Sequence, residues 1–279
     1  MRPILSVASM EKHKTLLLEN REIHYRDEGR GNTKTIVLLH GFLQNQNVWS
    51  SFILSYMRTL RVIAIDLPGH GYSATYSEVH TMDFMANAVK AVLDTCGVER
   101  CVMVGHSMGG YVALAFAENY GYMLRGLALL HSHAMADDSE KRLQRDMVCK
   151  QIHQNRAGFT VDFITNLFDK SKRQYLAQDI KELRDQCLEN KEEGILAAQR
   201  GMKIRNSRVR TLASLQVPVL FVYGKNDPRI PIELGLSQTM VPRCAESLLL
   251  DGVAHMSFME AREYVKKRLY DFVCQCYTY

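Results

Sequence analysis

The sequence has 279 residues, of which 47% are hydrophobic and 23% are charged, and this composition is that of an ordinary globular chain. Lysine and arginine number 35 and aspartate and glutamate 30, and the formal charge of +5 does not by itself indicate nucleic-acid binding. No apolar run reaches about 18 residues, so no membrane span is predicted, and the weakly apolar start at residues 1–10 indicates a frayed terminus rather than a signal peptide.

Eight strands are predicted along the chain. Residues 14–19 and 22–26 flank a turn signal at Asn20-Arg21, and together they predict an antiparallel hairpin at a sheet edge. Residues 35–39 form a continuous apolar run, which is typical of a strand buried on both faces of a parallel sheet. The other predicted strands cover residues 61–65, 101–104, 127–130, 216–223 and 246–250.

Helices are predicted between these strands. Residues 47–58, residues 81–95 and the segment from residue 257 onward carry apolar side chains at helical spacing, and a further helix follows Ser107. Between about residues 136 and 212 no strand-like run occurs. Four charged, helix-favouring stretches are found there instead, at residues 138–155, 160–167, 171–190 and 192–206.

This change in character predicts an all-helical insertion, which divides the chain into residues 1–135, 136–212 and 213–279. The apolar side chains of the insertion could line a pocket and exclude water, or they could form its own small core; they are Phe159, Phe163, Ile164, Leu167 and Phe168. The basic side chains near its end could attract an acidic substrate, although a solvated face is the favoured interpretation. These side chains are Arg200, Lys203, Arg205, Arg208 and Arg210.

The stretch Val104-Gly105-His106-Ser107-Met108-Gly109-Gly110 carries the main chemical signal. It has the spacing Gly-x-Ser-x-Gly and lies between a predicted strand and a predicted helix. A serine at the tip of a sharp turn needs neighbours without a Cβ atom, so that the helix can begin close to the strand. Its hydroxyl would lie at the helix N-terminus, where unpaired N–H groups favour negative charge. A glycine-rich helix start that only permits close packing is the alternative, but the strand–turn–helix context favours a nucleophile.

With this motif in this context, the chain resembles the α/β-hydrolase family over nearly its whole length. The resemblance implies a mostly parallel sheet sandwiched by helices, with an inserted all-helical cap over the pocket. The segment Asp66-Leu67-Pro68-Gly69-His70-Gly71-Tyr72-Ser73 resembles the family's D-x-P-G-x-G-x-S loop, and the family pattern gives Asp66 a structural role. Some members carry the catalytic acid after the strand at 127–130. Here the first carboxylate is Asp137, which directs the search for the acid downstream.

The resemblance implies a catalytic triad of Ser107, Asp227 and His255. Asp227 lies in a Gly-x-x-Asp loop after the penultimate strand, and His255 lies in the loop after the last strand. The chain order of nucleophile, acid and base is the order expected for this fold. Asp227 could instead be a turn aspartate before proline, and Asp251 is a weaker candidate for the acid.

Two backbone N–H groups are the candidates for an oxyanion hole, since acyl transfer needs fixed donors for the developing negative charge. The N–H of Met108 follows the nucleophile directly. His40-Gly41-Phe42 resembles the family's oxyanion loop, which makes the N–H of Phe42 the second candidate; the alternative is an ordinary turn. His40 is interpreted as a structural side chain that braces this loop.

Cysteine and histidine spacing does not point to a metal. The seven cysteines are scattered and odd in number, which favours a reducing, cytoplasmic location over a disulfide framework. Cys274-Gln275-Cys276 and His131-Ser132-His133 each lack a complete ligand set. We predict no metal, no cofactor, no nucleic acid and no membrane partner, and the oligomeric state stays open.

The expected activity is that of a carboxylesterase-like hydrolase, which cleaves a small-molecule ester or related acyl bond through a serine acyl-enzyme. A perhydrolase, a low-turnover ligand receptor and a carbon–carbon bond hydrolase stay open, although hydrolases of the last kind usually carry a tryptophan where Met256 stands. A proline-releasing aminopeptidase also stays open, because cap carboxylates could bind an amino terminus; the candidates are Glu182, Glu189, Glu192 and Glu193.

Overall fold

A computed structural model of the chain describes residues 13–278, and its centre is a single eight-stranded sheet. The strands are β1 (Lys14–Leu18), β2 (Arg21–Glu28), β3 (Thr35–Leu39), β4 (Arg61–Ile65), β5 (Cys101–His106), β6 (Leu124–Leu130), β7 (Val219–Gly224) and β8 (Ala245–Leu250). Their order across the sheet is β1-β2-β4-β3-β5-β6-β7-β8. All eight predicted strands are present.

The central parallel strands and the edge strands of the sheet differ in how their side chains are buried. β1 pairs with β2 and β2 with β4 in antiparallel fashion, whereas β3 to β8 pair in parallel with their neighbours. The central strands β3, β5 and β7 are buried at every residue, as expected for parallel strands covered on both faces. At the edges, β1 and β8 alternate between partly buried and exposed side chains. The predicted fold class, α/β with a mostly parallel sheet, is confirmed.

Ten α-helices lie within the described residues. They are α1 (Ser50–Tyr56), α2 (Met82–Thr95), α3 (Met108–Tyr120), α4 (Ser139–Thr165), α5 (Ala177–Leu188), α6 (Glu192–Lys203), α7 (Val209–Ser214), α8 (Ile232–Thr239), α9 (Ser257–Glu260) and α10 (Arg262–Cys276). α7 and α8 were not predicted, and the single helix predicted from residue 257 is interrupted at Ala261, where φ is −136°. None of the helices in this part of the chain has the length and hydropathy that a bilayer crossing requires.

The chain between β6 and β7 is helical, and we call α4 to α7 the helical insertion. The break predicted after residue 155 occurs as a kink inside α4, because Asn155 has φ −158° and ψ 79° and its side-chain oxygen accepts the N–H of Gly158 at 2.9 Å. The insertion contacts the loop after β3 through Asn190, whose side-chain nitrogen donates to the carbonyl of Leu43 at 2.5 Å. The proposed domain bounds at 136 and 212 stay a prediction.

The basic stretch at the end of the insertion is not uniformly a solvated face, and that expectation is wrong for two of its residues. The side chains of Arg205 and Arg208 are only 2% and 3% exposed. Arg205 contacts Asp137 at 2.6 Å, and Arg208 contacts Asp83 at 2.6 Å. Both arginines are therefore buried ion-pair partners, and their carboxylates lie far away in the sequence.

Candidate active site

Ser107 lies on a sharp turn between β5 and α3. Its φ of 50° and ψ of −113° form a conformation that is rare for a residue with a side chain. Its N–H donates to the carbonyl of Leu130 at 2.9 Å, which ties the turn to the end of β6. A Cβ atom at Gly109 would lie 2.5 Å from the carbonyl oxygen of Leu39, so only glycine permits α3 to begin this close to β3. The glycine spacing of the motif therefore has a steric cause.

His255 and Asp227 meet in the loops that follow β8 and β7. Nδ1 of His255 lies 2.9 Å and 2.8 Å from the two carboxylate oxygens of Asp227. A proton on Nδ1 leaves Nε2 of the ring as a base. Ser107 and His255 line the same cavity. Of the three residues predicted as a triad, Ser107 and His255 thus share a cavity, and Asp227 contacts His255.

A second histidine, His131, also binds Asp227. It follows β6 with a φ of 50°, and its Nδ1 lies 2.7 Å from Oδ2 of Asp227. The N–H of Ser257 points at Nε2 of His131 at 3.3 Å, so the Nδ1 atom of the neutral ring carries the proton and donates to the carboxylate. In the sequence, His131 stands out only as half of a His-x-His metal pair. The sequence feature that could have indicated a role at the site is the position of His131 directly after β6, where some α/β-hydrolases carry their catalytic acid.

The two candidate oxyanion donors lie at the ends of β3 and β5. Among the described residues, neither the N–H of Phe42 nor that of Met108 donates to a backbone or side-chain acceptor. The loop that carries Phe42 is held by Gln44, whose side-chain oxygen accepts the N–H of Gly41 at 3.1 Å, and by the contact between Leu43 and the helical insertion. Leu43 has a φ of 67°, so this loop is held in a strained turn.

His40 and Asp66 brace the neighbouring loops, as the sequence predicts. Nε2 of His40 accepts the N–H of Leu67 at 2.9 Å, and Nδ1 donates to the carbonyl of Gly41 at 2.8 Å. Burial lowers the pKa of His40 to about 4, which keeps the ring neutral. Asp66 accepts the N–H groups of Gln46 at 2.7 Å and Tyr72 at 3.1 Å. Both side chains join loops of the chain to one another.

The weaker acid candidate, Asp251, lies away from the site. Its side chain is 88% exposed and lies 3.6 Å from Lys225. The buried carboxylate of Asp227 is therefore the one that contacts the histidine.

Three side chains at the site offer atoms that metals bind. Donor atoms of His131, Asp227 and His255 lie within 4.8 Å of one another. In this arrangement the Nδ1 atoms of both histidines are already engaged with the carboxylate, so an ion would have to displace these hydrogen bonds. His133, the other half of the predicted His-x-His pair, contacts the Tyr111 hydroxyl at 3.4 Å instead.

Comparison with known proteins identifies the fold. Residues 34–148 match the family model described as "alpha/beta hydrolase fold". A 2-hydroxy-6-oxononadienedioate/2-hydroxy-6-oxononatrienedioate hydrolase of Paraburkholderia phymatum is 29% identical, over 91% of each chain. The structure of a thermophilic esterase from Thermogutta terrifontis superposes with a TM-score of 0.89 at 26% identity, over 95% of this chain and 99% of the esterase.

The chain has the α/β-hydrolase fold. A non-heme chloroperoxidase of Burkholderia pyrrocinia is a further relative, 28% identical over 77% of this chain and 82% of its own length. The named hydrolases and the esterase structure support hydrolase activity for this α/β-hydrolase.

The cavity of this α/β-hydrolase has a volume of about 490 Å³ and lies between the sheet and the helical insertion. Its apolar wall includes Phe42, Phe163 and Leu167. Ile164 and Phe168 are fully buried in the core instead, so the predicted apolar set is divided between pocket wall and packing. The four glutamates considered for binding an amino terminus are not among the residues that line this cavity.

Electrostatics at the site favour a charged carboxylate beside a neutral imidazole. Burial alone would raise the pKa of Asp227, but His255 and the hydrogen bond from His131 outweigh it and lower that pKa. Burial lowers the pKa of His255, and the nearby Asp227 opposes this effect. Near neutral pH the carboxylate is ionised and the imidazole can accept a proton.

Proposed function

We propose that this α/β-hydrolase cleaves a small-molecule ester, or a related acyl bond, through a serine acyl-enzyme. The observation that carries the proposal is that His255, which pairs with Asp227, lines the same cavity as Ser107. The similarity to the Thermogutta terrifontis esterase, at 26% identity over 95% of the chain, supports an ester as the scissile bond.

Each residue has one role in this proposal. The oxygen of Ser107 attacks the acyl carbonyl, and Nε2 of His255 takes the hydroxyl proton and passes it to the leaving alcohol. Asp227 fixes the tautomer of the ring and stabilises its positive charge. A water molecule, deprotonated by the same histidine, then releases the acid and restores the serine.

The negative charge on the carbonyl oxygen requires donors that are already in position. The N–H groups of Phe42 and Met108 fill this role in the proposal, because neither has an acceptor among the described residues. The helical insertion acts as a cap in this proposal, since its residues Phe163 and Leu167 line the cavity and exclude water from the site.

The test compares wild type with Ser107→Ala on aryl esters of short and medium acyl chains. Loss of the nucleophile removes acyl-enzyme formation, so kcat/KM is expected to fall by about 10³-fold or more. Ser237→Ala, an exposed serine on α8, is the matched control and keeps the wild-type rate. Equal rates for wild type and Ser107→Ala would refute the proposal, and a single turnover per molecule would favour a ligand receptor.

Carbon–carbon bond hydrolysis is the second candidate, and it rests on the 29% identity to the Paraburkholderia phymatum hydrolase. That relative's substrate, 2-hydroxy-6-oxononadienedioate, can be assayed beside the aryl esters. A higher kcat/KM for 2-hydroxy-6-oxononadienedioate than for every ester would favour carbon–carbon bond hydrolysis. We expect the esters to be preferred, because Met256 stands where carbon–carbon hydrolases of this fold usually carry tryptophan.

A further inference from the structure

Arg229 is a cation in the wall of the candidate active-site cavity that has no anionic partner. It lies two residues after Asp227 and lines the cavity together with Ser107 and His255. Among residues 13–278, no carboxylate lies within 4.0 Å of its guanidinium, and no side-chain hydrogen bond holds it. Arginine is always charged in proteins, so this part of the cavity carries a positive charge that no ion pair within the described residues neutralises.

The position of the guanidinium is fixed by an aromatic ring. Its central carbon lies 4.8 Å from the centre of the Phe163 ring, within the range of a cation–π contact. Phe163 in turn packs edge-on against Phe42, with ring centres 5.6 Å apart. The cation is therefore held near the candidate oxyanion loop without any of its donors being used.

The other charges around the cavity do not neutralise Arg229. Arg145 is paired with Asp137 at 2.7 Å, and Arg205 contacts the same carboxylate at 2.6 Å, so two arginines share one aspartate. Lys141 lines the cavity as well and has no carboxylate within 4.0 Å among the described residues. The remaining lining carboxylate, Asp138, caps α4 by accepting a backbone N–H at 2.8 Å.

Arg229 is an exposed residue whose guanidinium packs against the Phe163 ring. The five donors of arginine match the two oxygens of a carboxylate, and such charge-assisted hydrogen bonds are among the strong ones in proteins.

We propose that Arg229 is a substrate-binding residue, and that the preferred substrate is a small ester that also carries a carboxylate. This inference rests on the proposed ester hydrolysis and names the substrate class for the same site. Arg229 binds the carboxylate while Ser107 attacks the ester carbonyl, and Lys141 adds to the positive potential. In this arrangement the carboxylate of the substrate lies beside Arg229 and Phe163.

The test uses two aryl esters of similar length, p-nitrophenyl valerate and mono-p-nitrophenyl glutarate, of which only the second carries a carboxylate. The ratio of kcat/KM for the charged ester to kcat/KM for the neutral ester is measured for wild type, Arg229→Gln and Arg229→Lys. A charge-assisted hydrogen bond is lost in Arg229→Gln, so the ratio is expected to fall about tenfold or more. Arg229→Lys retains the charge without the forked donor pattern, and its ratio should lie between the other two.

The matched control is Arg58→Gln, which removes the same charge from an exposed position outside the cavity. Its ratio should equal that of wild type. If Arg229→Gln leaves the ratio unchanged while Ser107→Ala still abolishes hydrolysis, the inference is overturned and the proposed ester hydrolysis stands.

A binding measurement separates the two proposals further. Glutarate is titrated calorimetrically into Ser107→Ala and into Ser107→Ala combined with Arg229→Gln. Binding that weakens about tenfold in the double variant supports the anion site even if no ester is turned over. Equal binding by the two proteins, or no binding by either, overturns it.

Discussion

Asp227 accepts hydrogen bonds from four donors, and this number decides how firmly the carboxylate is held. Two are the imidazole N–H groups of His255 and His131, at 2.8 Å and 2.7 Å. The others are the backbone N–H groups of Arg229 at 2.8 Å and Ile230 at 3.0 Å. A carboxylate that accepts several hydrogen bonds stays ionised and cannot rotate freely. We therefore expect His131 to act through Asp227 as a positioning residue for His255.

Replacing His131 tests this role. His131→Phe removes one donor, and it also removes a ring whose protonated form opposes a positive charge on His255. We expect kcat to fall about tenfold, as for a lost hydrogen bond to a charged group, and the acid limb of the kcat/KM profile to move to higher pH. His131→Gln retains an N–H donor and should recover part of kcat. A lower Tm with unchanged kcat and an unmoved acid limb would show that His131 is only a packing residue.

The sequence locates the three candidate catalytic residues because each lies in a loop directly after a strand. It could not locate the role of His131 in the same way. That role depends on a φ of 50° at the end of β6, which turns the ring toward β7, and on a carboxylate 96 residues away. Arg229 was also missed, because its lack of a partner depends on where every other charge in the cavity lies.

At the scale of elements, α6 contacts the loop after β4 with almost no space between the two backbones. The N–H of His80 donates to the carbonyl of Ala197 in α6 at 3.0 Å. A Cβ atom at Gly201 would lie 1.7 Å from the carbonyl oxygen of His80. Glycine inside a helix costs about 1 kcal/mol relative to alanine, and this close contact accounts for its presence in α6.

Gly201→Ala should therefore destabilise the protein, although alanine is the better helix former. The added methyl group has to push α6 away from the loop, at a typical cost of about 1–3 kcal/mol. Gln199 and Met202 of α6 line the cavity, so KM should also change. Gly121→Ala, where a Cβ atom meets nothing within 4 Å, is the control and should keep its Tm. An unchanged or higher Tm for Gly201→Ala would contradict the packing argument.

Most elements were predictable from local pattern, and the exceptions share a physical cause. α7 has six residues and α8 has eight, so neither contains enough turns to show an apolar stripe. The burial of Arg205 and Arg208 was not predictable from their basic surroundings, because their partners Asp137 and Asp83 come from other parts of the chain. A run of basic residues is a solvated face only where folding does not place a carboxylate from a distant part of the chain in contact with it.

For the molecule as a whole, the candidate site lies at one edge of the sheet. Phe42, Ser107, His131, Asp227 and His255 follow β3, β5, β6, β7 and β8 respectively. Parallel strands end at the same edge, and ligands of open α/β sheets bind outside these carboxyl ends. The helical insertion leaves the sheet after β6, at that same edge, which is why it covers the cavity. Strand direction thus brings together residues up to 213 positions apart in the chain.

The same architecture buries several histidines, and this predicts loss of stability in mild acid. Burial lowers the pKa of His40 and His80 to about 4 and of His133 to about 3, and the pKa values of His70 and His106 lie well below the usual range. In the unfolded chain these groups titrate near 6.5. Between about pH 6.5 and 4 the unfolded chain therefore binds more protons than the folded one, and the free energy of unfolding falls as the pH is lowered.

Each such histidine contributes up to about 1.4 kcal/mol per pH unit in that window, so the apparent Tm should fall clearly between pH 7 and pH 5. Asp66 and Glu260, whose pKa values are raised by burial, act in the opposite direction. The lowered pKa values of Asp27, Asp137 and Asp227 matter only at lower pH, because an unfolded aspartate titrates near 3.9.

His153→Gln, at an exposed position, is the control and should show the wild-type dependence of Tm on pH. A Tm that is constant from pH 7 to pH 5 would mean that these buried rings are protonated in the folded protein, and the neutral loop contacts of His40 would then have to be wrong.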